Sequence, residues 1–292
     1  MTQHSLTWIF ALGLLSCPAV AFSAEEIITF DSQGMKVVGT LSLPEGGPAP
    51  IVVMFHGFTG TRDELPVATT TDGVFSRTAR LLAEAGYASL RIDFRGSGES
   101  EGEFSDTTFE GQVADGLKAV EVMTADPRVK GSDLAIIGWS QGGLVATAVA
   151  GRSGTPDAVG LWAAVATPAE SLGAILGAET VQKGLATGDT PLPITLPWGA
   201  KIELKQGYFD GMQTFDPVAE ISAYKGPLFV AQGRLDTTVL PVAADKLIAA
   251  HEGTEVLWMA DMDHVFNAFT GPQTLDEMVG QTIGFLNANM AE

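Results

Sequence analysis

From residue 51 onward, short runs of apolar residues alternate with segments in which apolar residues recur at helical spacing. The runs are rich in Val, Ile, Leu and Ala, a composition that predicts strands buried on both faces of a parallel sheet. The segments between them predict amphipathic helices. The predicted strands are Ile51–Phe55, Ala88–Asp93, Leu134–Gly138, Val159–Val165, Leu228–Gln232 and Val256–Met259, and the predicted helices are Val74–Ala85, Phe109–Thr124, Gln141–Ala150, Ala243–Ala250 and Leu275–Met290.

The alternation is interrupted in two places. Near the start, Glu26–Phe30 and Lys36–Leu43 flank the turn-forming residues 31–34, a pattern that predicts an antiparallel hairpin at one edge of the sheet. From Pro168 to about Ser222 no strand and helix rhythm recurs, and these 55 residues are too many for a plain loop. We therefore predict an α/β fold with a mostly parallel eight-stranded sheet, helices on both faces and a cap inserted at about residues 168–222.

Composition and charge narrow the class of partner. The chain has 292 residues, of which 46% are hydrophobic, and this is enough to bury a large core. Its 35 acidic residues exceed its 16 basic residues, which gives a net charge of −19, and no cluster of Lys and Arg occurs. Such a chain repels phosphate backbones, so nucleic acid and anionic membrane surfaces are excluded as expected partners and a small-molecule substrate is favoured.

The first residues predict an export signal. Leu6–Leu15 is almost wholly apolar, Ala21–Ser23 supplies small residues for cleavage, and charge begins only at Glu25. We expect a signal peptide over residues 1–23, cleavage before Ala24, and a periplasmic or secreted protein without an integral membrane anchor. A lipoprotein with Cys17 at its terminus is the alternative. Because Cys17 is the only cysteine, disulfides, thiolate catalysis and cysteine metal sites are excluded after cleavage.

Two segments fit the pattern Gly-x-Ser-x-Gly, and their contexts differ. Gly138–Gly142 directly follows a predicted strand and opens a predicted helix, which is the setting of a nucleophile elbow with Ser140 at its tip. The flanking glycines remove side chains that would collide in such a turn. The second match, Gly98–Gly102, lies five residues beyond its strand and flanks Ser100 with two carboxylates, so it is interpreted as a surface loop.

A serine nucleophile needs a base, and three histidines follow the predicted cleavage site. His251 ends a predicted helix, where solvation of the helix terminus is its expected role. His56 precedes Gly57–Phe58 and is expected to brace the loop after the strand. His264 lies beyond the last predicted strand, at the same end of the sheet as Ser140, and an imidazole can both accept and return the serine proton near neutral pH. We therefore predict His264 as the base.

The remaining members of the predicted site come from other strand ends. Asp236 follows a buried strand and is expected to orient the imidazole of His264. The order Ser140, Asp236, His264 along the chain fits one known arrangement of the serine triad. The backbone N–H groups of Phe58 and Gln141 are the predicted donors of an oxyanion hole.

In its predicted triad and oxyanion residues the chain resembles the α/β-hydrolase superfamily. The resemblance extends over nearly the whole segment after residue 23. Besides the elbow, the resemblance rests on His56–Gly60, Asp93–Ser100 and Phe215–Pro217. The combination of motifs is similar to that of bacterial feruloyl and cinnamoyl esterases. These enzymes carry a short inserted subdomain at the place where the alternation of strands and helices stops in this chain. The resemblance implies a serine esterase that forms an acyl-enzyme on carboxylic esters, with Tyr208 of the cap holding the phenolic end of a substrate.

Other chemistries fit less well. The glycines of residues 96–102 have the wrong spacing for a dinucleotide fingerprint, and no Gly-Lys-Ser/Thr phosphate loop occurs. The three histidines after residue 23 are scattered along the chain and do not form a metal-binding motif. We therefore expect no metal site and no cofactor. The rival on the same fold is an aminopeptidase or acyl-peptide hydrolase, and a binding protein without turnover is a further alternative. The peptidase would need a carboxylate to bind the substrate amine, for which Glu170, Glu179, Glu203 and Asp210 are candidates.

Overall fold

The structure is a computed structural model that describes residues 24–290, and the expected signal peptide and Cys17 lie outside this range. The strands are β1 (Ala24–Ser32), β2 (Met35–Leu43), β3 (Ala49–Phe55), β4 (Ala88–Asp93), β5 (Val129–Trp139), β6 (Ala158–Trp162), β7 (Leu192–Thr195), β8 (Lys201–Leu204), β9 (Leu228–Gly233) and β10 (Glu255–Ala260). The helices are α1 (Val74–Glu84), α2 (Phe109–Ala125), α3 (Gln141–Ser153), α4 (Pro168–Leu176), α5 (Ala178–Gly184), α6 (Gln206–Thr214), α7 (Pro217–Ala223), α8 (Val242–Ala250) and α9 (Gln273–Asn289).

Eight strands form one sheet in the order β1-β2-β4-β3-β5-β6-β9-β10. The strand β2 pairs antiparallel with β1 and with β4, and every other pair in this sheet is parallel. The predicted mostly parallel eight-stranded sheet and its edge hairpin are therefore confirmed. Because parallel strands end at the same edge, the loops after β3, β5, β9 and β10 meet at the carboxyl edge of the sheet.

Helices cover both faces of the sheet. Along β3, Ile51, Val53 and Phe55 pack into one apolar cluster, whereas Val52 and Met54 pack into another on the opposite face. The first cluster includes buried residues of α2, α3 and α8, and the second includes buried residues of α1 and α9. Burial on both sides explains why the sequence of β3 is apolar throughout.

Two strand boundaries differ from the prediction by three residues or more. The strand β6 ends at Trp162 rather than Val165, because the next residue, Ala163, turns the chain with a positive φ of 43°. The strand β5 begins at Val129 rather than Leu134, and its polar first half pairs with Ala49 and Pro50 before the register shifts. Polar residues fit there because this half of β5 lies outside the fully buried centre of the sheet.

The chain between β6 and β9 forms four helices and the hairpin β7/β8. The last of these helices, α7, packs closely on α3, since a Cβ atom at Gly151 would lie 2.0 Å from the Glu220 carbonyl oxygen. Asp216 caps α7 by accepting hydrogen bonds from the N–H groups of Val218 and Ala219, both at 3.1 Å. The helix α7 thus belongs to the layer on the sheet, and we call residues 168–215 the insertion.

Candidate active site

Ser140 lies in a strained turn between β5 and α3. Its φ of 56° and ψ of −116° are costly for a residue with a Cβ atom. The surrounding backbone holds this conformation, because Ser140 N–H donates to Trp162 O at 2.9 Å and Ser140 O accepts from Gly143 at 3.0 Å and Val165 at 3.1 Å. The turn places the serine side chain at the carboxyl edge of the sheet, as a nucleophile elbow does.

Glycines allow the elbow to pack this tightly. A Cβ atom at Gly142 would lie 2.0 Å from the carbonyl oxygen of Phe55, and one at Gly138 would lie 2.2 Å from the carbonyl oxygen of Gly142. Both positions therefore exclude a side chain, which confirms the steric role predicted for them.

The structure brings the three predicted side chains of the triad together. His264 Nε2 lies 3.0 Å from Ser140 Oγ, and His264 Nδ1 lies 2.8 Å from Asp236 Oδ2. Asp236 is only 2% exposed, and its Oδ1 accepts hydrogen bonds from Thr238 N–H at 2.8 Å and Val239 N–H at 2.9 Å. The carboxylate is fixed in one orientation, with its other oxygen facing the imidazole.

Two residues that the sequence reasoning did not identify support this arrangement. Trp139 Nε1–H donates to the carbonyl oxygen of His264 at 3.2 Å, which ties the histidine loop to the neighbour of Ser140. Gln232 Nε2 donates to Asp236 Oδ2 at 3.2 Å. Hydrogen bonds of this kind restrict the orientation of the side chains that would perform the chemistry.

Several solved structures share this fold and arrangement of elements. Est1E from Butyrivibrio proteoclasticus with ferulic acid bound superimposes with a TM-score of 0.70 at 22% identity, covering 90% of this chain and 98% of that one. The α/β hydrolase GrgF from Penicillium sp. sh18 gives a TM-score of 0.73 at 18% identity, covering 92% and 100%. The esterase Pf2001 from Pyrococcus furiosus gives 0.65 at 22% identity, covering 96% and 98%. The chain has the α/β-hydrolase fold.

Comparisons of sequence cover less of the chain than the comparisons of structure do. Residues 33–175 match the profile of the S15 family, described as X-Pro dipeptidyl-peptidase. That range contains Ser140 but neither Asp236 nor His264. An uncharacterized 31.7 kDa protein of the traX-finO intergenic region of Escherichia coli is 36% identical over 73 residues, which are 25% of this chain and 22% of that protein. The chain therefore spans about a fifth of the length of this curated relative.

The predicted oxyanion residues lie on either side of the elbow. Gln141 is the first residue of α3, and Phe58 follows β3 in a turn closed by a hydrogen bond from Gly60 N–H to Gly57 O at 3.1 Å. Within residues 24–290 neither the Phe58 nor the Gln141 N–H donates to another backbone group. Both N–H groups are thus free to donate to an oxygen bound at Ser140.

His56 braces the loop after β3, as expected. Its Nε2 accepts the Phe94 N–H at 3.1 Å, and its Nδ1 lies 2.8 Å from Gly57 O. Burial lowers the pKa of the His56 imidazole, so the ring is neutral and Nδ1–H donates to Gly57 O. His251 contacts Gly226 O and the Glu255 carboxylate and lies outside the triad.

Ser100, the serine of the second Gly-x-Ser-x-Gly match, is 9% exposed and has a structural role. Its hydroxyl donates to Asp93 O at 2.6 Å and accepts the Val38 N–H at 2.8 Å. The flanking Glu99 and Glu101 are exposed, in agreement with a surface loop, but the Ser100 hydroxyl itself points into the protein. Both hydrogen bonds connect the loop to the sheet.

Tyr208, the residue expected to bind a phenol, lies against the elbow helix. Its side chain is fully buried, and its hydroxyl donates to Gln141 Oε1 at 2.7 Å. The hydroxyl would have to leave Gln141 in order to bind a phenolic substrate, and that role of Tyr208 stays a prediction.

A half-buried carboxylate that was not predicted lies next to the loop of Phe58. Glu64 Oε1 accepts the Gly57 N–H, and a Cβ atom at Gly60 would lie 2.5 Å from the same oxygen. Burial raises the pKa of the Glu64 carboxyl to about 8, which outweighs the opposite effect of hydrogen bonds from the Gly57 and Leu65 N–H groups. At neutral pH the folded protein therefore holds Glu64 mostly protonated.

Glu64 is expected to make the stability of the protein depend on pH. Between the ordinary pKa near 4.5 and the folded value of about 8, the unfolded chain loses this proton while the folded protein keeps it. The contribution of Glu64 to the free energy of unfolding is then full below pH 4.5 and is lost as pH rises to 8. In Glu64→Gln the side chain cannot ionise, so this loss of stability does not occur. We expect the free energy of unfolding of the variant to exceed that of the wild type by about 2–4 kcal/mol at pH 9, and the difference to decrease towards pH 5.

Urea unfolding of both proteins at several pH values between 5 and 9 measures the effect. The exposed Glu45 offers a matched control, and Glu45→Gln is expected to follow the wild-type trend. A constant difference between Glu64→Gln and wild type over this range would contradict the assignment.

Proposed function

We propose that the protein hydrolyses carboxylic esters with Ser140 as nucleophile. The observation that carries the proposal is the unbroken chain of contacts from Ser140 Oγ through His264 to Asp236, at 3.0 and 2.8 Å. Ser140 lies in a strained turn, and the backbone N–H groups of Phe58 and Gln141 beside it have no backbone partners within residues 24–290. This combination serves acyl transfer and has no evident structural purpose.

The proposed reaction has two stages. Ser140 Oγ attacks the ester carbonyl carbon while its proton moves to His264 Nε2, and Asp236 stabilises the resulting imidazolium. The N–H groups of Phe58 and Gln141 stabilise the negative oxygen of the tetrahedral intermediate. His264 then protonates the departing alkoxide, which leaves an acyl-enzyme on Ser140. Water, deprotonated by His264, attacks the acyl group and releases the acid and the free serine.

Aryl and hydroxycinnamoyl esters are the proposed substrate class. The support is the resemblance to feruloyl and cinnamoyl esterases and the likeness in fold to Est1E, which has been solved with ferulic acid. Aromatic side chains also gather beside the oxyanion loop, since the Phe58 ring lies 6.0 Å from that of Phe104 and 5.5 Å from that of Tyr208.

A peptidase is the second candidate, because residues 33–175 match the X-Pro dipeptidyl-peptidase family. Such an enzyme needs a free carboxylate for the substrate amine. Of the candidates in the insertion, Glu170 pairs with Lys246 at 3.1 Å and Glu179 pairs with Lys183 at 2.7 Å. These partners compete with an amine at Glu170 and Glu179, whereas no ion pair within residues 24–290 involves Glu203 or Asp210, so those two carboxylates keep the peptidase as a candidate.

A labelling experiment and a substrate panel test the proposal. A fluorophosphonate probe is expected to react with the wild-type protein, and peptide mapping is expected to find the adduct on Ser140. The panel compares short alkyl esters, aryl esters, methyl ferulate and methyl cinnamate with aminoacyl and Xaa-Pro anilides. Higher kcat/KM on esters supports the proposal, whereas higher kcat/KM on the anilides favours the peptidase. A protein that is neither labelled nor active would refute both.

A further inference from the structure

Tyr208 contacts both residues whose backbone N–H groups we assign to the oxyanion hole. Its hydroxyl donates to Gln141 Oε1 at 2.7 Å, and its ring stacks on that of Phe58 with the centroids 5.5 Å apart. Tyr208 belongs to α6 in the insertion, whereas Gln141 begins α3 and Phe58 follows β3. One buried side chain of the insertion thus touches both sides of the proposed oxyanion hole.

The carboxamide of Gln141 is held at both ends. Its Oε1 accepts the Tyr208 hydroxyl, and its Nε2 donates to Gln112 Oε1 of α2 at 2.8 Å. Gln112 and Gln141 are 2% and 1% exposed, so water does not replace these partners. A side chain bonded to two different helices has little freedom, and the first residue of α3 is restrained with it.

The Tyr208 side chain is itself firmly placed. Its ring packs edge-on against Phe109 with the centroids 5.1 Å apart, in addition to its stacking on Phe58. Burial raises the pKa of the Tyr208 hydroxyl well above its usual range, so the group stays protonated and donates to Gln141. The hydrogen bond therefore persists over the pH range in which a serine hydrolase works.

We propose that Tyr208 is a positioning residue of the oxyanion hole, through which the insertion controls the chemical step. The inference rests on the proposed function, because it requires the Phe58 and Gln141 N–H groups to receive the oxyanion. Oxyanion donors act at about 2.7–3.1 Å, and they stabilise the transition state more than the bound ester. A displacement of Gln141 or Phe58 should then lower kcat and leave KM nearly unchanged.

Tyr208→Phe tests the proposal, since it removes the hydroxyl and keeps the ring on Phe58. We expect kcat for the best ester of the panel to fall about 10- to 100-fold, with KM changed by less than about twofold. Affinity for a boronic acid, whose serine adduct places an oxygen in the oxyanion hole, should fall by a similar factor. Affinity for the product acid should not change.

Tyr224→Phe is the matched control. Tyr224 is also buried, and its hydroxyl donates to Pro156 O at 3.0 Å, in contact with none of the triad or oxyanion residues. The control loses one buried hydrogen bond and is expected to keep its kcat. An equal fall in kcat in both variants, or an effect of Tyr208→Phe on KM alone, would overturn the proposal.

A double-mutant cycle tests the route through Gln141. Gln141→Met removes the acceptor of the Tyr208 hydroxyl and is expected to lower kcat in the same way. If Tyr208 acts through Gln141, adding Tyr208→Phe to Gln141→Met causes no further loss. If the losses in kcat of the two single variants multiply in the double variant, the route through Gln141 is overturned. An unchanged kcat in Gln141→Met overturns it as well, and this second result can be measured even where Tyr208→Phe fails to fold. A wild-type protein that is neither labelled nor active overturns the proposed function itself.

Discussion

Replacing Ser140 with alanine is expected to lower kcat for ester hydrolysis by about 10⁴- to 10⁶-fold. The hydroxyl is the proposed nucleophile, and its hydrogen-bond partner is His264 Nε2 at 3.0 Å. Alanine and serine experience the same backbone strain at a φ of 56°, and the side chain adds almost nothing to the core. The free energy of unfolding should therefore change by less than about 1 kcal/mol.

The second Gly-x-Ser-x-Gly match provides the control for this variant. Ser100→Ala leaves the Val38 N–H without its acceptor and should cost about 1–3 kcal/mol of stability. Its kcat per folded molecule, measured after active-site titration, should stay near the wild-type value. Full activity in Ser140→Ala, or loss of fluorophosphonate labelling in folded Ser100→Ala but not in Ser140→Ala, would place the nucleophile elsewhere.

Asp236→Asn is expected to lower kcat by about 10⁴-fold while leaving the fold intact. Asp236 Oδ1 accepts two backbone N–H groups, so an asparagine would keep its oxygen there and turn its NH₂ group towards His264 Nδ1. Nδ1 would then have to accept a hydrogen bond, and the ring proton would move to Nε2. An imidazole in this tautomer cannot take the proton from Ser140.

Steady-state kinetics should show this loss in kcat, with KM changed only a few-fold. Asp261→Asn is the control, because Asp261 lies at the surface and pairs with Arg234 at 3.1 Å. Circular dichroism and thermal unfolding establish that both variants are folded. An unchanged kcat in Asp236→Asn would show that another carboxylate orients the histidine.

Most of the sheet could be predicted because its strands are buried on both faces. Val52 and Met54 pack on one side and Val53 and Phe55 on the other, so β3 appears in the sequence as an unbroken apolar run. The hairpin β7/β8 was not predicted, because each strand has only four residues and Pro193 interrupts one of them. Strands this short give too few alternating positions to be recognised.

The predicted triad residues could be chosen from the sequence because each lies within five residues of the end of a predicted strand. Glu64 could not be chosen, since it stands among polar residues that resemble a surface turn, and its burial depends on a backbone φ of 63° and on the approach of Gly57. The contact of Tyr208 with Gln141 could not be predicted for a similar reason. Its partner Gln141 is 67 residues away, and a motif does not tell which way a hydroxyl points.

The insertion leaves and re-enters the sheet between neighbouring strands, since β6 pairs directly with β9. This geometry suits the construction of chimeras, because residues 168–215 can be exchanged for a foreign segment without altering any strand pair of the large sheet. The downstream junction must precede Asp216, which caps α7 against α3. If Tyr208 positions the oxyanion hole as proposed, a donor segment must also bring a hydroxyl to Gln141 Oε1 for the chimera to keep its kcat.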